Sequence, residues 1–389
     1  MLKKLFLHNK FAGAPINTVE FFDIFWLCWK AVGVRFGAKK WYITLQDIMV
    51  NIFVTIFLPL HLTMGLFLVP KLADAFKNLA ATITSVACSI KHYFFRYKLP
   101  KIRELQLLLK QLDERIVAQD ERDYYNGTLR TNMRNIMIAF CCTYAGDAIV
   151  AAIDVLYKNE RELMYPAWFP FDWSANIFTY YVAVSYQIIS ATIQIMQNLP
   201  NDTFAPIALC AISGHAHLLA MRVAKVGYDE SKTLVENERE LNECIEDHKK
   251  LLRIFDLLQD IFWYTQLVQF STVALSICLT VVCLLYFVEN FLGYIYYMVY
   301  LTAIMMELFP ACYFGSQMSE ELEALPYAIF KCNWVSQRKS FKQNLRVFTE
   351  LALKPLTLTA GGIIDIHLTS FVATCKMAYS IYTVLLNMK

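Results

Sequence analysis

An all-α membrane protein with seven transmembrane helices is the fold class this sequence predicts, on three observations. Of its 389 residues 57% are apolar and only 18% charged, with a mean hydropathy of +0.39. A soluble domain carries about 45–50% apolar and about 25% charged residues. Seven segments supply the run of about 20 mostly apolar residues with which a helix crosses a bilayer. The topology those segments define puts 28 Lys and Arg on one side and four on the other, with four more inside spans, the asymmetry that marks cytoplasmic loops. The same composition excludes a disordered chain, a fibrous one and a disulfide-stapled miniature. A net charge of +3 is too small to argue for nucleic acid.

In chain order the spans are 41–69, 72–97, 135–157, 173–199, 261–288, 291–314 and 366–388. The second is interrupted by Lys77, Lys91, His92 and Arg96, whose long side chains reach for the interface when they lie near a helix end. The charge asymmetry sets the N-terminus in the cytoplasm and, with seven spans, the C-terminus outside. A G-protein-coupled receptor has the opposite orientation, and neither an Asp/Glu-Arg-Tyr in span three nor an Asn-Pro-x-x-Tyr in span seven occurs. The sequons at Asn126 and Asn201 fall on the cytoplasmic side and are expected to stay unglycosylated. The eleven cysteines are odd in number, lack any CxxC and lie mostly in apolar runs, where a thiol packs as a small hydrophobe. The N-terminus shows no cleavable signal peptide, and no cofactor or metal is expected.

The organisation that follows is a cytoplasmic N-terminal segment (1–40), spans one to four (41–219), a charged helical extension (220–260), spans five and six (261–314), cytoplasmic anchor helices (315–365) and the last span (366–389). Ile102, Leu105, Leu109, Leu112 and Ile116 continue span two below the membrane at helical spacing. Leu241, Ile245, Leu252 and Phe255 mark a second such stretch, and 322–353 a third. A helical bundle beneath the membrane is the economical reading; three separate surface helices are the alternative.

The last quarter is distinctive: LPYAIFKCNWVSQRKSFKQNLRVF, then KPLTLTAGGIIDIHLTSF, then CKMAYSIYTVLLNMK. In their order Pro326-Tyr327, Asn333-Trp334, Lys354-Pro355, Thr359-Ala360-Gly361 and Ala378-Tyr379-Ser380, this region resembles the insect odorant receptor family. The resemblance implies a subunit of an odorant-gated, non-selective cation channel in the plasma membrane of an olfactory neuron's dendrite. It implies a tetramer around a pore lined by the seventh helix, in which a variable tuning subunit binds the volatile and a shared co-receptor completes the channel. The compact loop between spans four and five looks like that of a tuning subunit. Related gustatory receptors end in a Thr-Tyr…Gln-Phe pattern, where this chain has Ile381-Tyr382 and Asn387-Met388. A gustatory-type channel, or more remotely a carrier or membrane enzyme, is the competing reading. No serine–histidine or phosphate-loop pattern supports chemistry.

In the seventh span Thr374, Ala378, Ser380, Ile381, Val384 and Met388 share one broad helical face. By the family pattern Ile381, Val384, Asn387 and Met388 stand at the pore and gate, where an apolar ring closes by dewetting. The family pattern also places the ligand in the outer half of the membrane among spans two, three, four and six. The candidates there are Ile83, Tyr144, Asp147, Ala148, Tyr180, Tyr181, Val184, Tyr296, Tyr297 and Tyr300. Tyrosine offers a flat apolar face with one hydroxyl, and it also gathers at membrane interfaces as an anchoring belt. An ionisable group at mid-membrane costs about 2.5–3.5 kcal/mol and usually faces protein or water. Asp147 is therefore a candidate for a ligand N–H, and Glu307 a structural or gating residue.

Overall fold

The computed structural model describes residues 15–35, 40–68, 72–157, 163–286, 288 and 291–387, with side chains described except at 72–74, 77, 147, 150–157, 292, 293, 296, 378, 381, 382 and 384–387. Among the described residues the chain is all-α apart from one hairpin of two two-residue strands. A turn of 3-10 helix (Thr18–Phe22) leads into α1 (Asp23–Ala31). Helix α2 is Trp41–Leu66, with a π-helical stretch at Asn51–Ile56. Helix α3 is Leu72–Asp113, and α4 runs over 119–157 with a second π stretch at Tyr125–Leu129. Helices α5 (Ile177–Val223), α6 (Leu234–Tyr286) and α7 (Phe291–Lys331) follow, then α8 (Lys339–Ala352), the strands β1 (Thr359–Ala360) and β2 (Ile364–Asp365), and α9 (Leu368–Asn387).

Among the described residues four helical segments, Trp41–Leu66, Ile177–Val223, Leu234–Tyr286 and Tyr297–Lys331, are long and apolar enough to cross a membrane by length and composition. Several helices overrun a bilayer. At 1.5 Å per residue α3 is ~63 Å long and α6 ~80 Å, against a hydrocarbon core of about 30 Å. The overrunning halves of α3, α5, α6 and α7 converge with α8 at one end of the molecule, here called the base. Ile102, Leu105 and Leu109 of α3 are fully buried there against Leu209 and Ile212 of α5, Leu241 and Leu258 of α6, Leu325 and Ile329 of α7, and Phe341 and Phe348 of α8. Most of the periodic apolar residues of the three charged stretches thus join one continuous core, Leu252 being outside it. Helix α8 shows why: its buried Phe341, Leu345, Phe348 and Ala352 repeat every three to four residues, the stripe that a helix must cover.

Two features refine that organisation. The N-terminal segment contributes to the main core, in which Phe22, Phe25 and Trp29 are buried. Phe25 packs its ring against Phe95 and Phe204, with centroids 6.2 and 5.4 Å away. This entry is fixed by Asp113, which accepts from the Thr18 N–H at 2.7 Å and the Thr18 hydroxyl at 2.6 Å. The charged helical stretch 220–260 is built from two helices with a turn between them. Helix α5 stops at Val223, Gly227 adopts a left-handed φ of 85°, and α6 restarts behind a reciprocal cap between Thr233 and Glu236. The turn is held by Asn333, whose amide donates to the Gly227 carbonyl at 2.9 Å while its backbone N–H donates to Val226 at 3.0 Å.

The hairpin seats the last helix. Gln259 of α6 clasps Thr359, accepting from its N–H at 2.9 Å and donating to its carbonyl at 3.0 Å. The Gly361 N–H donates to the Trp263 carbonyl at 2.8 Å. Gly361 and Gly362 hold φ of 61° and 69°, the left-handed region open to glycine. The chain then enters α9 with the Leu368 N–H on the Ser316 hydroxyl of α7 at 2.9 Å. At Gly315 a Cβ would lie 2.1 Å from the Ile366 carbonyl oxygen, so α7 and the start of α9 touch backbone to backbone.

Candidate functional site

At the end opposite the base, here called the top, the segment 163–176 folds over α2 and α5. The Gln187 side chain of α5 accepts from the Met164 N–H at 3.0 Å and donates to the Tyr165 carbonyl at 2.8 Å. The Trp168 N–H reaches the His61 carbonyl of α2 at 3.0 Å. Asn176 then caps α5 by accepting from the Thr179 N–H at 2.9 Å. A separate small cluster of Leu163, Phe169, Ala183 and Val184 forms beneath, with Tyr180 and Tyr186 against it.

The sequence-predicted ligand residues distribute around this region unevenly. Val184 and Tyr297 are buried; Ile83, Tyr180 and Tyr300 are half-buried. Tyr181 is 60% exposed, with its ring centroid 5.5 Å from that of Tyr180. Ala148 is exposed. Asp147 and Tyr296 sit in helices but their side chains lie outside the described residues, as do those of Ile381, Val384 and Asn387; Met388 lies outside altogether. Tyr144 is buried, and its hydroxyl donates to Asp202. That bond uses the only hydrogen the phenol has, so the ring and the oxygen lone pairs are what remain for a ligand.

Asp202 opens onto a feature that the sequence reading did not find. The Lys91 ammonium is 4% exposed and donates to Asp202 at 2.5 Å and to the Gln269 carbonyl oxygen at 2.7 Å. The Gln269 amide in turn donates to Glu307 at 3.2 Å. Five side chains on five helices, α4, α5, α3, α6 and α7, are thus joined in series near mid-length. Asn201, Gln266 and Phe95 line the same tight space. Asn201 is 2% exposed, and neither its amide nitrogen nor its oxygen has a partner; the Gln266 amide oxygen has none either. A buried ion pair is tolerated because each charge answers the other, and removing one alone strands its partner.

A second pair lies one and a half turns toward the base. Arg96 grips both oxygens of Asp47 on α2 at 2.6 Å each. Lys91 and Arg96, two of the charges that interrupt span two, are therefore partnered inside the protein rather than reaching for an interface. The signal was in the sequence: a cation deep in an apolar helix needs an anion at similar depth, and Asp47, Asp202 and Glu307 were there to be matched. Asp202 escaped notice because it stands three residues beyond the apolar run of span four. Asn201, which carries one sequon, is sealed in this space, whereas Asn126 is half-buried.

Among the described residues no group of three His, Cys, Asp or Glu could hold a metal ion. The eleven cysteines are all free. In the base, burial pushes the Cys244 thiol up to about 12, which keeps it protonated and inert. Helix α9 packs on α6 and α7 along one side, with Phe371 against Phe309 at 5.4 Å between centroids. Its Val372, Met377 and Tyr379 are exposed, so another side faces away from the protomer.

Comparison with known proteins adds a family context. The family model described as seven-transmembrane odorant receptor matches residues 71–379. Odorant receptor 33c of Drosophila melanogaster is 38% identical over 381 residues, covering 96% of this chain and 99% of that receptor. Odorant receptor 33b of the same species is 36% identical over 374 residues, covering 96% and 98%. The solved structure of the insect olfactory receptor OR5 from Machilis hrabei superposes with a TM-score of 0.80 at 15% identity, over 95% of this chain and 98% of that one. A second structure of that receptor, in complex with eugenol, superposes equally well, with a TM-score of 0.80.

Proposed function

Because this chain belongs to the seven-transmembrane odorant receptor family, we propose that it is the tuning subunit of a ligand-gated, non-selective cation channel in the plasma membrane of a sensory dendrite. It binds a small volatile in the top half and opens a pore as a heteromer with the shared co-receptor. No bond is made or broken: the ligand biases a closed–open equilibrium by interacting better with the open state. The base faces the cytoplasm, the N-terminus lies inside and the C-terminus outside. The six stretches of the organisation given above are its working parts.

The observation that carries this reading is likeness to odorant receptors over 96% of the chain. It takes in the N-terminal helix, the top and the hairpin-seated last helix together. The structure of the related receptor with eugenol, a small aromatic volatile, supports a pocket of the same kind. We place it among α3, α4, α5 and α7, at Ile83, Tyr144, Asp147, Ala148, Tyr180, Tyr181, Val184, Tyr296, Tyr297 and Tyr300. Ring faces there supply most of the contact. Ile381, Val384 and Asn387 of α9, with Met388 next in the sequence, line the pore and gate, which suits a helix with one side turned away from its own protomer.

The test is whole-cell current in cells expressing this chain with and without an insect co-receptor, across a volatile panel and with G-protein signalling blocked. Rapid cation current in the paired cells alone is expected. Silence in both with the protein at the surface, or current that needs G proteins, overturns the reading.

A further inference from the structure

We propose that Lys91 and Asp202 are positioning residues that couple Tyr144 to helices α6 and α7, so that a ligand lodged against Tyr144 is felt where those helices seat α9. The inference rests on the pocket assignment just made and adds the route by which occupancy reaches the pore helix.

The Tyr144 hydroxyl donates a hydrogen bond to Asp202, Asp202 holds Lys91, Lys91 holds Gln269, and Gln269 holds Glu307. Lys91 and Asp202 are almost wholly buried, so neither charge has water to turn to if the other moves away. A shift of the Tyr144 ring therefore carries the pair with it. From Gln269 the same helix reaches Trp263, six residues or ~9 Å on, whose carbonyl receives the Gly361 N–H of the hairpin. From Glu307 it is nine residues or ~14 Å along α7 to Ser316, which receives the Leu368 N–H at the start of α9. Gln269 and Glu307 thus each lead, along their own helices, to a bond that fixes the entry of the last helix.

A transmitting element also needs a second arrangement to move into. The space around Lys91 carries the means for one. The two amide atoms of Asn201 and the amide oxygen of Gln266 are buried without a partner in this arrangement. Buried polar atoms left unmet are uncommon and costly. A small rotation that offered them the ammonium or a carboxylate would make those bonds, so a second pairing is open to the same groups.

The experiment is a mutant cycle on current in cells expressing this chain with the co-receptor, with surface level measured by labelling. The probe is the volatile that drives the unsubstituted pair most strongly in the panel. The variants are Tyr144→Phe, the paired Lys91→Met/Asp202→Asn, which removes both charges together, and all three at once. Tyr144→Phe is expected to raise the half-maximal concentration about tenfold in the native background and less than about twofold once the pair is gone. A second tenfold loss in the triple variant, at equal surface level, means that the residues act independently and overturns the inference. Should the paired variant miss the surface, Gln269→Leu cuts the link to α6 without stranding a charge, and the same cycle with Tyr144→Phe is read in its place. Silence of the unsubstituted pair to the whole panel overturns the receptor reading first, and this inference with it.

Discussion

The two ends of the molecule are built to different tolerances. At the base, whole side chains of α3, α5, α6, α7 and α8 vanish from the surface, and buried charges are cross-tied: Asp247 takes Arg222 at 2.8 Å and Arg115 at 3.1 Å, and Arg222 also holds Glu121 at 3.0 Å. At the top, the separate cluster is small, aromatic residues stand half-buried or exposed, and a folded-over segment closes α2 and α5. A close-packed interior transmits displacement and resists reshaping. The base therefore serves as the rigid frame and the top as the adaptable part. The Lys91 cluster lies between them.

The sharpest way to break that comparison is to hollow each end in turn. Phe348→Ala removes a fully buried ring from the base and should cost about 3–5 kcal/mol, read as loss of surface-labelled protein. Tyr181→Ala at the top removes a mostly exposed ring and should change stability by no more than about 0.5 kcal/mol. Equal losses would erase the distinction. Next in size is Gly315→Ala, whose new methyl meets the Ile366 carbonyl oxygen at 2.1 Å. The entry of α9 must shift, and agonist-evoked current should fall about tenfold or more at unchanged surface level; normal current would show that the contact is slack.

The base also carries a pH signature. Burial beside Phe348, at 5.3 Å between ring centroids, pushes His248 down to about 4 from its ordinary 6.5. A histidine held neutral in the folded state while the unfolded chain takes up the proton adds stability that is whole above pH 6.5. It is lost progressively as pH falls toward 4. At pH 5 the loss is about 2 kcal/mol. Melting of the solubilised protein should show this slope, and His248→Phe should flatten it. The smallest expected effect is none at all: Asn126→Gln should leave electrophoretic mobility unchanged, since that sequon faces the cytoplasm in the proposed orientation. A mass shift would reverse the top and the base.

Much of the base was legible in the sequence, because an amphipathic helix writes its buried face as a period. Ile102, Leu105, Leu109 and Leu112 announced the extension of α3, Ile116 packs just past its end at Asp113, and all five are buried. The N-terminal Phe22, Phe25 and Trp29 were not read as core, because their short helix has too few turns to show a period and too few apolar residues to cross a membrane. The C-terminal motif was recognised as a pattern, but its physical content needed coordinates: Thr359 and Gly361 matter through Gln259 and Trp263, about a hundred residues away. Partners separated so far leave no local trace. The same holds for Lys91, whose anion lies 111 residues on. Tyr144 shows the opposite limit: its position was read as a ligand contact, yet nothing in the sequence revealed that Asp202 already accepts its hydroxyl hydrogen bond.

The central claim is that ligand choice resides at the top while the base frames the channel. The most direct measurement is the rank order of volatile potencies, with the co-receptor present, for Tyr300→Ala at the top and Leu345→Ala in α8 of the base. The account predicts that Tyr300→Ala reorders the panel at normal surface level, and that Leu345→Ala scales all currents down together without reordering them. A reordering caused by Leu345→Ala, with an unchanged order from Tyr300→Ala, would contradict it.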